Sequence, residues 1–247
     1  MTKQEVQQRV LQNGKPLSLD KFEWDEKTNT FSSNESDLVL DFNGIAYCTF
    51  KTGYDCTFKT EYDCTFKTGS YCTFNTGSNC TFNTGYDCIF NTGFNCTFNT
   101  ASDCTFNTAS NCTFKTASNC TFKTGYDCTF NTGFNCTFKT GYDCTFNTAS
   151  NCTFKTEYDC TFKTGSYCTF NTGSNCTFNT GSNCIFNTGG KCVVVRRDIY
   201  EVIELEEGKK IKLNEWNVKG FTYLDDNDDR TEEAIAMLKE KGFKIIK

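Results

Sequence analysis

The most constraining feature of this sequence is an unbroken arithmetic series of cysteines. All 19 cysteines lie between Cys48 and Cys192 and follow one another at intervals of eight residues. The repeated unit reads Cys-Thr-Phe-Asn/Lys-Thr-Gly-x-Asn/Asp, and 18 of the 25 phenylalanines occupy its third position. Because so short a unit cannot bury an apolar face by itself, it has to stack on copies of itself. The sequence therefore predicts a repeat architecture.

The alternation of side chains along a strand predicts which residues of the unit face the core. Cys and Phe, at positions 1 and 3, fall on one side of an extended chain, and Thr at position 2 falls on the other. We therefore predict an all-β fold, a parallel β-solenoid of octapeptide repeats with small α/β caps at both ends. The residues that we assign to this structural core include Cys72, Phe74, Cys80, Phe82, Cys112, Phe114, Cys120 and Phe122.

The number of units in one coil has two solutions. Two octapeptide units give a flattened, two-sided coil, and three units give a longer, triangular coil. Two facing phenylalanine ladders fill a gap near the usual sheet spacing of about 10 Å, whereas a triangle leaves more interior to fill. We favour two units per coil and keep three as the alternative.

The second half of the unit predicts the corner between strands. Ala109 and Glu61 occupy position 6, so we expect no compulsory positive φ there. Asn or Asp at position 8 is typical of a side chain that closes a turn. Thr at position 5 has two interpretations, a third inward residue or a hydroxyl that bonds the turn backbone.

The flanking segments are predicted to cover the ends of the solenoid, whose open edges would otherwise template further strands. We assign residues 1–43 to an N-terminal cap with a short helix and strands, and 44–192 to the solenoid. Thr2 and Glu5 have capping-box spacing ahead of Val6, Val10 and Leu11, with Gly14 as a stop. Residues 17–24 and 38–42 alternate apolar and polar side chains, which predicts two strands.

Residues 193–247 are predicted to form a C-terminal α+β cap or small module. Residues 193–195, 200–205 and 211–213 indicate a hairpin-like β segment. Asp229 and Glu232 indicate the start of a helix that ends near Gly242, followed by a last strand at 243–246. The acidic run at 225–229 lacks the ligand spacing of a calcium loop, so we interpret it as a solvated loop and helix cap.

Composition excludes several function classes. The chain has no histidine, which removes a histidine general base and imidazole metal ligation. Residues 48–192 carry nine basic and nine acidic side chains, a poor electrostatic footprint for nucleic acid. The start is polar and no apolar run approaches the roughly 20 residues that span a bilayer, so we expect a cytoplasmic protein without a membrane partner. No cofactor and no enzymatic activity are predicted.

The cysteines are predicted to be buried free thiols. Thiols in register would have Cβ atoms about 4.8 Å apart, wider than the ~3.5–4.5 Å that a disulfide needs. Structural zinc sites usually place thiols two to four residues apart, and no Cys-x-x-Cys occurs here. A thiol-rich metal or redox protein is the alternative.

Two outward surfaces are candidates for recognition. Corner aromatics tend to mark interaction surfaces or stacking sites for sugars. The members of this predicted surface are Tyr54, Tyr62, Tyr86, Phe94, Tyr126, Phe134, Tyr142 and Tyr158. The outward Thr/Asn ladder resembles in pattern the flat face of ice-binding β-solenoids, although lysines interrupt it at positions 51, 59, 67, 115, 123, 139, 155 and 163. An ice- or surface-binding protein is therefore a further alternative.

Over residues 48–192, the Cys-Thr-Phe-Asn/Lys-Thr unit resembles octapeptide arrays of uncharacterised proteins from clostridia, related Firmicutes and their phages. It is more distantly similar to pentapeptide-repeat proteins, whose coils also stack inward residues in ladders. The resemblance implies a stacked solenoid in a bacterial or phage setting and brings no activity with it. The unit has eight residues and the array is neutral, so DNA mimicry is not carried over. We interpret the chain as a non-enzymatic scaffold or binding module for an unidentified protein partner.

Overall fold

The computed structural model describes residues 1–224, whose strands form two long sheets around one core. The first sheet, called face A, has 14 strands, and the second, called face B, has 13. Successive repeat strands alternate between the two faces, so one coil contains one strand of each.

The secondary structure begins with a helix and then consists almost entirely of short strands. In chain order the elements are α1 (Lys3–Gln7), β1 (Val10–Gln12), β2 (Lys15–Pro16), a 3-10 helix (Leu19–Lys21), β3 (Glu23–Asp25), β4 (Thr30–Ser32), β5 (Leu38–Phe42), β6 (Thr49–Lys51), β7 (Thr57–Thr60), β8 (Thr65–Lys67), β9 (Thr73–Asn75), β10 (Thr81–Asn83), β11 (Ile89–Thr92), β12 (Thr97–Asn99), β13 (Thr105–Thr108), β14 (Thr113–Lys115), β15 (Thr121–Lys123), β16 (Thr129–Thr132), β17 (Thr137–Lys139), β18 (Thr145–Thr148), β19 (Thr153–Lys155), β20 (Thr161–Lys163), β21 (Thr169–Thr172), β22 (Thr177–Thr180), β23 (Ile185–Thr188), β24 (Cys192–Arg196), β25 (Glu201–Leu205), β26 (Ile211–Leu213) and β27 (Phe221–Tyr223).

The register of the sheets fixes the size of the coil. Each repeat strand pairs in parallel with the strand after next, so Phe98 lies beside Phe114 on face B and Phe106 beside Phe122 on face A. Register partners are therefore separated along the chain by two octapeptide units. The predicted parallel β-solenoid with two units per coil is confirmed, and the triangular alternative is wrong because it requires partners three units apart.

The core consists of phenylalanine rings packed in two directions. Within face B the rings of Phe98 and Phe114 stack with centroids 4.8 Å apart and planes 2° apart. Across the core the rings of Phe106 and Phe114 meet edge to face at 5.3 Å and 78°. Both arrangements are favourable for aromatic pairs and contribute about 0.5–1.5 kcal/mol each beyond burial. Each ring thus contacts neighbours above, below and opposite, which fills the narrow interior.

The corners depend on a left-handed residue at the last position of the unit. Asn119 has φ +60° and Asp127 has φ +53°, and the equivalent residue of the other units lies in the same region. Asn and Asp tolerate this conformation well, which explains their prevalence there. Their side chains bond along the column rather than across the turn, as Asn135 Nδ2 does to Asn119 Oδ1 at 3.2 Å. Repeat glycines at position 6 lack a positive φ, as expected.

The threonine at position 5 of the unit has both of the roles predicted for it. Thr108 is buried, and its hydroxyl donates to the carbonyl of Ala109 at 3.4 Å. The same bond recurs at most of the threonines between Thr68 and Thr180. The threonine is therefore both a third inward residue and a donor to the corner backbone.

The N-terminal cap differs from the prediction in the extent of its helix. The capping box of Thr2 and Glu5 is present, but α1 ends at Gln7. Val10 and Leu11, predicted to be helical, pair in an antiparallel manner with β5, because this pairing covers the open edge of face A. Gly14, with φ +73°, lies in the turn between β1 and β2 rather than at the helix end.

The two strands predicted in this cap have different outcomes. Residues 38–42 form β5 as predicted. Residues 17–24 do not form one strand, because a 3-10 helix interrupts them and only β3 is extended there. β3 pairs with β4 and covers the corresponding edge of face B.

The C-terminal segment closes both faces with antiparallel strands. β24 and β25 form the predicted hairpin on face B. β26 does not join this hairpin but crosses to face A, where it pairs with β23 and β27. Both sheets need a closing strand, which explains why the segment is divided between them. The predicted helix from Asp229, the strand at 243–246 and the acidic run at 225–229 lie outside the described residues.

Candidate functional site

The cysteine and phenylalanine side chains of the inward ladders are all buried. Every repeat cysteine and phenylalanine has a relative exposure of 0–1%, and Cys72, Phe74, Cys120 and Phe122 belong to face A. The other predicted core residues, Cys80, Phe82, Cys112 and Phe114, belong to face B. The predicted core is therefore observed as two facing pairs of columns.

The thiols act as hydrogen-bond donors to the corners. Cys112 Sγ donates to the carbonyl of Ser110 at 3.4 Å and to that of Gly93, in the coil below, at 3.6 Å. At the end of the ladder, contact with the Cys176 thiol and then burial raise the pKa of the Cys192 thiol well above its usual range. This position suits a small apolar side chain with one weak hydrogen-bond donor. Packing and hydrogen bonding therefore account for the presence of cysteine here.

The predicted aromatic surface divides between two corners. The B-to-A corner, where a face B strand leads into face A, carries Tyr54, Tyr86 and Phe134. The A-to-B corner, on the opposite edge, carries Tyr62, Phe94, Tyr126, Tyr142 and Tyr158. The eight residues therefore do not form one continuous surface.

Three of these aromatics form a continuous stack on the A-to-B corner. The rings of Tyr126 and Tyr142 lie 4.9 Å apart at 3°, and those of Tyr142 and Tyr158 lie 5.0 Å apart at 2°. Burial, followed by the neighbouring phenols and the carboxylates of Asp127 and Asp143, raises the pKa of Tyr142. Tyr142 is thus the half-buried centre of an otherwise exposed strip.

Charged columns flank this stack on both sides. Lys123, Lys139 and Lys155 are register partners on face A, three residues before each tyrosine. Asp127, Asp143 and Asp159 follow the tyrosines at position 8. An open cavity of about 400 Å³ lies between the lysine and tyrosine columns. We call these nine residues the Lys-Tyr-Asp patch.

The geometry of the stack limits what it can bind. Because the three rings cover each other's faces, the middle ring presents only its edge and hydroxyl to solvent. A sugar or base needs an exposed ring face for stacking. The patch instead offers hydroxyl groups between a row of cations and a row of carboxylates, a surface suited to a polar macromolecular partner.

The sequence-based choice of aromatics missed the tyrosines at position 8. Tyr47 meets Tyr62 edge to face at 6.1 Å, and Tyr71 meets Tyr86 in the same way at 5.2 Å. In both pairs the second tyrosine belongs to the next coil. Tyr47 follows Ile45-Ala46 and Tyr71 follows Gly69-Ser70, so the sequence shows both tyrosines at position 8. That each lies beside an aromatic of the next coil follows only from a coil of two units.

Comparisons with known proteins identify no relative. No family model matches the sequence, and no curated protein or solved structure matches the chain. Within residues 1–224, no group of three or more Cys, Asp or Glu side chains is arranged to hold a metal ion. No helix in this described part is long and apolar enough to cross a bilayer.

Proposed function

We propose that this protein is a non-enzymatic β-solenoid scaffold that presents the Lys-Tyr-Asp patch to a protein partner. The observation that carries the proposal is the alignment of three columns on one corner. One column consists of three lysines, one of three tyrosines and one of three aspartates. The bacterial or phage setting belongs to the same proposal and rests on the sequence resemblance. The cytoplasmic location belongs to it as well, because a reducing compartment keeps thiols free. The buried ladders supply the rigid support that such a surface needs.

The placement of the columns supports recognition rather than repetition alone. Lys-Thr-x-Tyr-Asp occurs at residues 51–55, 59–63, 123–127, 139–143 and 155–159, but only the last three copies lie in successive coils on one corner. The intervening units at 131–135 and 147–151 carry neither the lysine nor the tyrosine. Since these units lie on the opposite corner, the three motifs meet on one edge only.

The partner should offer both signs of charge around an apolar contact. Tyrosine is enriched at protein interfaces because it combines a large contact area with a polar end. The lysine column attracts carboxylates of a partner, and the aspartate column attracts its basic side chains. Nucleic acid is disfavoured because the carboxylates would lie beside its phosphates.

The proposal is tested by using the protein to capture its partner from a lysate of the source organism. Capture by the wild type is compared with capture by two variants. Tyr126→Ser with Tyr158→Ser should abolish capture of the partner, and both changes copy a serine found at position 7 elsewhere. Gly141 and Gly173 lie above these positions and leave room for the new hydroxyls. Tyr62→Ser, in the single copy of the motif at 59–63 on the same corner, should leave capture unchanged because that copy has no neighbouring copies above or below it. Equal capture by all three proteins, or none by the wild type, would contradict the proposal.

One observation favours a different function, ice binding by face B. Position 2 of this face is threonine in every coil from Thr30 to Thr177, whereas Ile89 and Ile185 interrupt the same column on face A. Lys115 and Lys163 place mobile charges beside the column on face B. Thermal hysteresis of the purified protein decides between the two functions. We expect none, and a clear hysteresis lost on Thr113→Lys would favour ice binding.

A further inference from the structure

A second aromatic feature lies on the B-to-A corner near the start of the array. A cavity of about 420 Å³ is lined by Tyr54, Gly69, Ser70, Tyr71 and Tyr86. The three tyrosines are exposed by 56%, 49% and 46%, respectively, so solvent reaches their rings. This cavity shares no residue with the Lys-Tyr-Asp patch and lies on the opposite edge.

The cavity exists because a serine interrupts a tyrosine column. Position 7 of three successive coils is Tyr54, Ser70 and Tyr86. The Ser70 hydroxyl turns into the corner, where it accepts a hydrogen bond from the Tyr86 N–H at 3.1 Å. The small side chain therefore leaves a slot between two rings that stand two coils, roughly 10 Å, apart.

Tyr71 and two carboxylates form the side of this slot. Tyr71 has φ +60° at position 8 and meets Tyr86 edge to face at 5.2 Å and 79°. Asp55 and Asp87 occupy position 8 in the coils below and above. Contact with Tyr86 raises the pKa of Tyr71, and the charges of Asp87 and Asp55 raise it further, so both carboxylates act on this wall of the slot.

The floor of the slot has its backbone acceptors already engaged. The carbonyl of Gly69 accepts the N–H of Gly85 at 3.1 Å, and the carbonyl of Ser70 accepts the N–H of Asp55 at 3.0 Å. A primary ammonium on this floor would lose hydration and find no free backbone carbonyl to replace it. A quaternary ammonium has no N–H groups to satisfy and is attracted by aromatic faces.

We propose that the slot between Tyr54 and Tyr86 binds a quaternary ammonium group, with Tyr71 as its side wall. A cation midway between the two rings lies about 5 Å from each centroid, inside the ~6 Å range of cation–π attraction. Asp55 and Asp87 add the charge that distinguishes a cation from a neutral group of the same shape. This proposal does not depend on the function assigned to the Lys-Tyr-Asp patch.

Titration with choline tests the site directly in the full-length protein. Its neutral isostere 3,3-dimethylbutan-1-ol has the same shape without the charge. We expect choline to bind at least tenfold more tightly, as measured by calorimetry or by chemical shifts of the tyrosine rings. Equal affinities, or no detectable binding of choline at millimolar concentration, would overturn the proposal.

Filling the slot provides a variant that retains the fold. Ser70→Tyr should complete a three-ring stack of the kind formed by the Lys-Tyr-Asp patch, and Gly85 above it has no Cβ in the way. Because the Tyr86 N–H loses the Ser70 hydroxyl as its acceptor, we expect the melting temperature to fall by only about 2–4 °C, together with at least a tenfold loss of choline affinity. Ser174→Tyr, the same change on the other corner, should leave the affinity unchanged. If Ser70→Tyr still binds choline normally, or if both variants lose binding equally, the slot is not the site.

The carboxylates are tested by substitutions that the repeat already contains. Asp55→Asn combined with Asp87→Asn places asparagine at position 8, where it is common in the array. We expect the affinity for choline to fall severalfold and that for the neutral isostere to stay the same. Lys51→Asn, on the adjoining face, should strengthen choline binding slightly by removing a like charge. Unchanged choline affinity in the double variant would contradict the electrostatic part of the proposal.

Discussion

The repeat array and the two caps solve different structural problems. In the array every strand pairs in parallel with a chemically equivalent strand, and each ring packs on rings of its own kind. The outermost strands of the caps pair in an antiparallel manner, and each of these contacts involves different residues. A repeated strand can always pair with a further copy of itself. A sheet of such strands therefore ends only where segments that do not repeat cover its edge.

The edge strands of the caps show how extension is prevented. β2 ends face A with Pro16, which lacks an N–H donor. Among residues 1–224, the outermost strands of face B are β3, which carries Glu23 and Asp25, and β25, which carries Glu204. Acidic edges at both ends of one face repel each other in a head-to-tail arrangement.

The C-terminal cap also replaces a ladder residue by a buried ion pair. Arg196 pairs with Thr180 in register, at position 5 of the unit, and is fully buried. Its guanidinium donates to the carboxylate of Asp198 and to the carbonyl of Glu215. Burial alone raises the pKa of Asp198, but the bonds from Arg196 and from the N–H of Asn217 outweigh it and lower this pKa.

Removal of the N-terminal cap should have the largest effect. Deletion of residues 1–43 exposes the edges of β6 and β7, so we expect end-to-end association in sedimentation experiments. Deletion of residues 96–111, one whole coil, should leave a shorter, soluble and cooperative solenoid, because each coil contacts only its neighbours. A stable monomer after deletion of the cap would show that residues 1–43 serve another purpose, such as partner binding.

Loss of the buried arginine should damage the C-terminal cap. Arg196→Met leaves Asp198 without its partner and should cost about 3–5 kcal/mol of unfolding free energy in urea. Because the pKa of Asp198 is lower in the folded chain, its contribution is present above about pH 4 and is lost as the pH falls further. The variant should lack this part of the acid sensitivity, whereas an unchanged acid profile would exclude the ion pair as its source.

Within the array, neighbouring residues on opposite sides of a strand should behave differently. Phe114→Ala removes a ring from the centre of the core and should cost about 3–5 kcal/mol. Lys115→Asn, the adjacent outward residue and a natural variant of position 4, should change stability by less than about 0.5 kcal/mol. Equal effects in chemical denaturation would reject the inward assignment of phenylalanine.

The corners should show a smaller, pairwise effect. A methyl group at Gly125 would overlap Ser110 Oγ, which accepts the Tyr126 N–H at 3.1 Å. Rotation of the hydroxyl would break this bond, so Gly125→Ala should cost about 1 kcal/mol more than Gly141→Ala, which lies above a tyrosine. The difference should largely disappear in the Ser110→Ala background. A double-mutant cycle without coupling would contradict the stacking of these two residues.

The core residues could be predicted from the sequence, because the eight-residue period places Cys and Phe on the same side of every strand. The coil size was harder to predict, since the side chains of a strand alternate in the same way in coils of two units and of three. In the structure Ser70 lies below Gly85, two units further along, but a glycine also stands three units further along, at Gly93. The pairing of serine with glycine therefore does not distinguish the two coil sizes in the sequence.

The parts that sequence reasoning missed depend on contacts between distant segments. Val10 and Leu11 are compatible with a helix or a strand, and their pairing with β5 decides between them. The aromatic surface could be recognised residue by residue but not assigned to corners. Tyr126 and Tyr142 become neighbours, and Tyr54 and Tyr86 become opposite walls, only when the register is known.

Labelling of the thiols tests the buried ladders most directly. In the folded protein at neutral pH, we expect a thiol reagent to leave the cysteines unmodified, because each has a relative exposure of 0–1%. Mass spectrometry across a denaturant titration should show all 19 thiols becoming reactive together with unfolding. Rapid modification of most cysteines in the native protein, or a mass that shows several disulfides, would contradict the account.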